Sequence, residues 1–120
     1  MWLNASNGAS SINVYAAFEN AKYNADYNEF GLGSYSGLEF TLPSGYVISS
    51  YTLKAYKYNN LLLYADATKA ISYNYQEPSL SGNVMTFVGS GLNYPSLYCY
   101  NNYSGNYWFY SMEFVIVSAS

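Results

Sequence analysis

Turn residues recur along this chain at short and fairly even intervals: Asn7-Gly8, Gly31-Leu32-Gly33, Pro43-Ser44-Gly45, Asn59-Asn60, Ser81-Gly82-Asn83, Gly89-Ser90-Gly91, Tyr94-Pro95 and the run from Asn101 to Asn106. Gly and Asn tolerate left-handed backbone angles and Pro fixes its own, so each cluster interrupts regular structure. The intervals left between them suit short strands rather than long helices. Within those intervals the apolar residues mostly alternate. Leu38, Phe40 and Leu42 fall on one side with Glu39 and Thr41 on the other, and Tyr51, Leu53 and Ala55 oppose Thr52, Lys54 and Tyr56. That period of two belongs to strands with one face buried.

The last segment carries the strongest pattern. Trp108, Tyr110, Met112, Phe114 and Ile116 make one face, and Tyr107, Phe109, Ser111, Glu113, Val115 and Val117 the other, which predicts a long central strand. Ile71–Tyr75, Val84–Val88, Ser96–Tyr100 and Leu61–Tyr64 are shorter strand candidates. Only Val14, Ala17, Phe18 and Ala21 have helical spacing, with Ser11 placed to cap it, so one short helix is expected over Asn13–Tyr23 and a further helical turn over Asp66–Ala70. The fold expected is all-β: one antiparallel β-sandwich domain over residues 1–120, a jelly roll of seven or eight strands with at most one short helix.

Composition then narrows function. Charged residues make up 9% of the chain, against roughly 25% in ordinary soluble domains, and 17 Tyr, 17 Ser and 14 Asn stand in their place. The surface is therefore expected to be largely neutral. With no His, no Arg and a single Cys, histidine acid/base chemistry, guanidinium clamps, an intrachain disulfide and Cys/His metal sites are excluded. Lys22, Lys54, Lys57 and Lys69 are scattered and the net charge is -3, so the cation clusters that bind phosphates are missing and nucleic acid is not an expected partner. No apolar run approaches the roughly 18 residues of a membrane span. The first residues, Met1-Trp2-Leu3-Asn4, show no secretory signal pattern.

Catalysis fares poorly by inventory. Glu39 and Glu113 are the only acids placed in mid-strand as a glycosidase pair would need, and their neighbours put them on solvent faces. No His or Ser-Lys motif activates a serine. Cys99, in the apolar run Leu97-Tyr98-Cys99-Tyr100, reads as a small buried hydrophobe, with an intermolecular disulfide as the sharper alternative. Tyr23–Glu29 carries two carboxylates and two amides, but its spacing matches no calcium loop. No enzyme, cofactor or metal is expected. Asn4-Ala5-Ser6 and Asn102-Tyr103-Ser104 match the glycosylation acceptor pattern, at a frequency this composition produces by chance.

So many tyrosines cannot all be core, since a buried phenol without a partner costs on the order of 1–3 kcal/mol. Outward tyrosines serve either as cross-strand ladders or as contact surface, being large, rigid and polar at the tip. The densest patch runs from Tyr94 to Trp108. From it Asn101, Asn102, Tyr103, Asn106, Tyr107 and Trp108 are the candidate binding residues for a protein or glycan, although the Asn-Asn and Gly pattern also suits a plain hairpin turn.

Two resemblances add expectations. Ala16-Ala17-Phe18-Glu19-Asn20, then Gly37-Leu38-Glu39-Phe40-Thr41-Leu42 and Tyr46-Val47-Ile48-Ser49-Ser50-Tyr51-Thr52-Leu53, resembles the discoidin (factor 5/8 C-type) pattern over under half of the chain. That resemblance implies a jelly-roll module binding glycans or lipids through end loops. The composition as a whole resembles Tyr/Asn/Ser-rich structural proteins of viruses of thermoacidophilic archaea, which implies a particle subunit. The function expected is a non-enzymatic structural subunit or decoration protein of a virion or extracellular assembly, located there and bound to itself or to other structural proteins. The alternative is a glycan-binding adhesion module of a tail fibre or surface protein.

Overall fold

A computed structural model describes residues 2–7, 10–18, 21–24, 29–73, 77–90 and 92–119. These residues form eleven strands: β1 (Trp2–Asn7), β2 (Ser10–Phe18), β3 (Ala21–Asn24), β4 (Glu29–Leu32), β5 (Gly37–Thr41), β6 (Tyr46–Tyr56), β7 (Leu61–Tyr64), β8 (Ser79–Ser81), β9 (Val84–Gly89), β10 (Ser96–Asn101) and β11 (Tyr107–Ser118). One sheet, here called sheet A, has the order β1-β2-β5-β10-β7; the other, sheet B, has the order β3-β4-β11-β6-β9-β8. All their pairings are antiparallel. Two sheets facing each other across a shared apolar layer make a β-sandwich.

The alternation read from the sequence explains that layer. Leu38, Phe40 and Leu42 are buried from sheet A, as are Tyr51, Leu53 and Ala55 from sheet B. Phe40 meets Phe114 across the gap with ring centroids 4.9 Å apart. Each such Leu or Phe side chain contributes roughly 1.5–3 kcal/mol by leaving water. From β4 onward the chain changes sheet at every connection except the β8–β9 hairpin, a two-residue turn where Gly82 takes φ +63°. Among the described residues only β1/β2, β3/β4 and β8/β9 are sequence neighbours paired within a sheet. Most consecutive strands thus alternate between the two sheets, and the antiparallel sandwich expected from the sequence is observed.

Several local expectations need correction. The helix expected over Asn13–Tyr23 is replaced by β2 and β3, and no helix occurs among the described residues. The same stretch carries Ile12, Val14, Ala16 and Phe18 at every second position, and β2 pairs on both sides, with β1 and with β5. Pairing on both edges overrides a weak local helical pattern. Asp66–Ala70 is a turn held by its own side chains, with Asp66 Oδ1 accepting from the Thr68 amide at 3.0 Å. Of Ile71–Tyr75 only Ile71–Tyr73 are described, and they shield the outer edge of β7 by an isolated bridge, Tyr64 to Ser72, and a Tyr73 N–H donated to Leu63 O at 2.6 Å. The faces of β11 also cross over. A register shift between Phe109 and Ser111 makes Tyr110 an extra residue, so Tyr107 and Phe109 point inward before it and Met112, Phe114 and Ile116 after it.

The outer face of sheet A is roofed by its own chain. Tyr64, Tyr98 and Tyr100 stack along it, with Tyr98 buried. The Asp66–Ala70 turn folds over them: the Ala67 N–H donates to Glu39 Oε2 at 2.8 Å and Lys69 Nζ lies 3.8 Å from the centre of the Tyr100 ring. Gly37 makes room underneath, since a Cβ there would meet the Tyr98 hydroxyl.

Candidate functional site

Register places three connections at one end of the sandwich. Asn101 at the end of β10 lies beside Leu61 at the start of β7, Tyr100 beside Gly37 at the start of β5, and Tyr107 at the start of β11 beside Leu32 at the end of β4. The loops 33–36, 57–60 and 102–106 therefore converge. Backbone bonds tie them to one another: the Tyr35 N–H donates to Tyr103 O at 3.1 Å, that of Asn102 to Asn60 O at 2.9 Å, and that of Asn101 to Ser36 O at 2.8 Å.

Two buried side chains complete the ties. Asn101 is fully buried, and its Nδ2 donates to Gly33 O and Gly105 O, each at 2.9 Å. Its Oδ1 has no hydrogen-bond partner among the described residues. The Tyr107 hydroxyl donates to Tyr58 O at 2.5 Å, with Tyr56 O at 3.1 Å. Burial pushes the Tyr107 phenol above its ordinary pKa, so it stays a donor at pH values where a free phenol would ionise. Of the six residues expected to bind, Asn101 and Tyr107 thus hold the loops together from beneath. Asn102 and Asn106 are exposed and Tyr103 is half-buried in the 102–106 loop. Trp108 stands apart, on the outer face of sheet B above Gly31.

What the fold gathers around Tyr103 is a set of rings. Tyr58 lies 5.7 Å from Tyr103 and 5.2 Å from Tyr56 between centroids, and Lys57 Nζ is 5.7 Å from the Tyr56 ring. Gly105 accommodates the Tyr103 ring, which a Cβ there would meet at 2.9 Å. Tyr35, 56% exposed, is held at φ +50°. A bulky residue in that region is strained, and with so much of its ring in water Tyr35 gains little burial in return. Tyr35 and Tyr58 were missed in the sequence because they sit beside segments read as turns, and Tyr56 because it was read only as an outward strand position; the clue lay in aromatic residues placed near Gly33 and Asn59-Asn60.

The arrangement offers stacking surfaces and amides. Glu39 and Glu113 occupy the outer faces of opposite sheets, with the core between them, so they do not converge on a substrate. No group of three or more potential metal-ligating side chains forms among the described residues. Of the Tyr23–Glu29 segment, Asn24 pairs with Glu29 in the β3/β4 ladder, while residues 25–28 lie outside the described residues. Cys99 is buried and free, and burial pushes its thiol pKa upward, which disfavours the reactive thiolate. Among the described residues no helix is long and apolar enough to cross a membrane. Comparison with protein-family models, curated proteins and solved structures finds no significant match.

Proposed function

We propose that this chain is a non-enzymatic structural subunit or decoration protein of a virion or extracellular assembly, joined to its neighbours through neutral surfaces rich in tyrosine and amide groups. The observation that carries the reading is the loop end. Buried Asn101 and Tyr107 are spent on fixing three loops so that Tyr35, Tyr58 and Tyr103 are presented with little freedom left to lose, which lowers the entropic cost of association. The compositional resemblance to archaeal viral structural proteins supplies the virion as the setting.

Contacts of this kind are barely screened by salt. Light scattering over a range of protein concentrations should find oligomers whose stability changes little from about 0.05 to 1 M salt. A monomer under all these conditions would overturn the reading.

The exposed rings of Tyr35 and Tyr58, beside half-buried Tyr103 and exposed Asn102 and Asn106, favour a second reading, a module that stacks on neutral sugar rings. A glycan array tests it, and Tyr103→Ala should abolish any binding detected. Trp108→Ala, away from the cluster, should leave that binding intact.

A further inference from the structure

We propose that the outer face of sheet B is an isologous interface, on which a second copy of this chain docks face to face about a two-fold axis. The inference rests on the reading that the chain associates with itself and adds a contact apart from the tyrosine-lined loop end.

Unlike the outer face of sheet A, this one leaves apolar side chains in water on β9 and β11. Its outward positions on β6, β9 and β11 are mostly small or β-branched, and Val88, Val115 and Val117 are exposed at 45%, 54% and 42%. A shallow depression runs between β6 and β11, lined by Ser50, Thr52, Glu113 and Val115. Such a surface is flat enough for close approach of another sheet at about 10 Å. The molecule measures 39 × 30 × 27 Å, so one face is large enough for the roughly 800 Å² per partner of a standard interface.

The charges on the face select the occupant. Among the outward residues of β6, β9 and β11 there is one cation, Lys54, and one anion, Glu113. Neither has an ion-pair partner among the described residues. They sit on neighbouring strands one diagonal apart, because Lys54 lies opposite Ser111 and Glu113 opposite Thr52. A two-fold axis lying in the interface and bisecting that diagonal sets Lys54 of each copy against Glu113 of the other, making two reciprocal pairs. With strands about 4.8 Å apart and about 6.8 Å between successive outward residues, the same axis passes close to Thr52 and Val88, which meet their own copies. A three-strand strip carrying one charge of each sign in this relation is complementary to itself.

Charge reversal tests the arrangement. Lys54→Glu places like charges opposite each other twice per dimer and should raise the dissociation constant by at least about thirtyfold, as should Glu113→Lys. The double variant Lys54→Glu/Glu113→Lys should restore wild-type association, which sedimentation velocity over a concentration series reads directly. Both positions lie on the outer face, and circular dichroism checks that the variants stay folded. Oligomers unaffected by the single reversals, or singles not rescued by the double, overturn this interface while leaving self-association through another surface standing. A wild-type chain that never associates removes both.

Discussion

The two outer faces of the sandwich are built from similar strands and finished differently. Sheet A ends in a ladder of Tyr64, Tyr98 and Tyr100 beneath the Asp66–Ala70 turn, pinned by Glu39 and Lys69. Over β6, β9 and β11, sheet B ends mostly in valines, serines and threonines, and Val88, Val115 and Val117 stand exposed there. The difference shows where tyrosine is used as filling and where the surface is left for another molecule. On sheet A, large rings replace an outside; on sheet B, small residues keep one available.

If that contrast is real, truncations on the two faces should differ several-fold in cost. Tyr98→Ala removes a ring that is only 5% exposed and that fits the space left by Gly37, so it should cost about 3–5 kcal/mol in urea denaturation. Val88→Ala on the open face, measured at a protein concentration low enough to favour the monomer, should stay within about 0.5 kcal/mol. Equal losses would erase the distinction. Next in size is Asn101→Ala, expected to cost about 2–3 kcal/mol by leaving the Gly33 and Gly105 carbonyls without their donor. Asn102→Ala, one residue further on and exposed, should cost almost nothing.

Buried and displayed titratable groups should also separate with pH. Burial raises the pKa of both Cys99 and Tyr107, so the folded chain keeps protons that the unfolded chain loses above their ordinary values. Their contribution is complete below about pH 8.5 and declines as pH rises, first through the thiol and then, above about pH 10, through the phenol. The slope for each is up to about 1.4 kcal/mol per pH unit. Chemical denaturation at pH 8, 9.5 and 10.5 should show the decline, Cys99→Ala should remove its first part, and Tyr107→Phe its second. A flat profile over that range would mean that the two groups are not sealed.

How much of this was legible in the sequence follows from what each feature depends on. The inward positions of Leu38, Phe40, Leu53 and Ala55 come from simple alternation, which is a local property. Asn101 was legible too in principle, since it lies two residues beyond Cys99 and four beyond Leu97 in the same inward register. Its amide drew attention as a ligand, whereas its period made it a strut. Tyr110 was not legible, because a bulge is decided by the pairing of β11 with β6 and leaves no mark in either strand alone. The ring cluster of Tyr58 and Tyr103 joins residues 45 positions apart in sequence and exists only once the sheet crossings bring the loops together.

The smallest effect probes how the roof over sheet A is held. Lys69 sits at φ +62°, a position that glycine adopts without strain, and its ammonium lies over the Tyr100 ring. Lys69→Gly should relieve roughly 1–2 kcal/mol of backbone strain. Against that, it loses a cation–π contact worth about 0.5–1 kcal/mol and frees the unfolded chain by about 0.5–1 kcal/mol. The balance should leave stability within about 0.5 kcal/mol of wild type. Hydrogen exchange is the sharper readout, because the Ala67 N–H, still accepted by Glu39, should keep its protection if the Glu39 bond anchors the turn. Loss of that protection in Lys69→Gly would show instead that the lysine over Tyr100 is the clasp, and that the covered face depends on a single charge-to-ring contact.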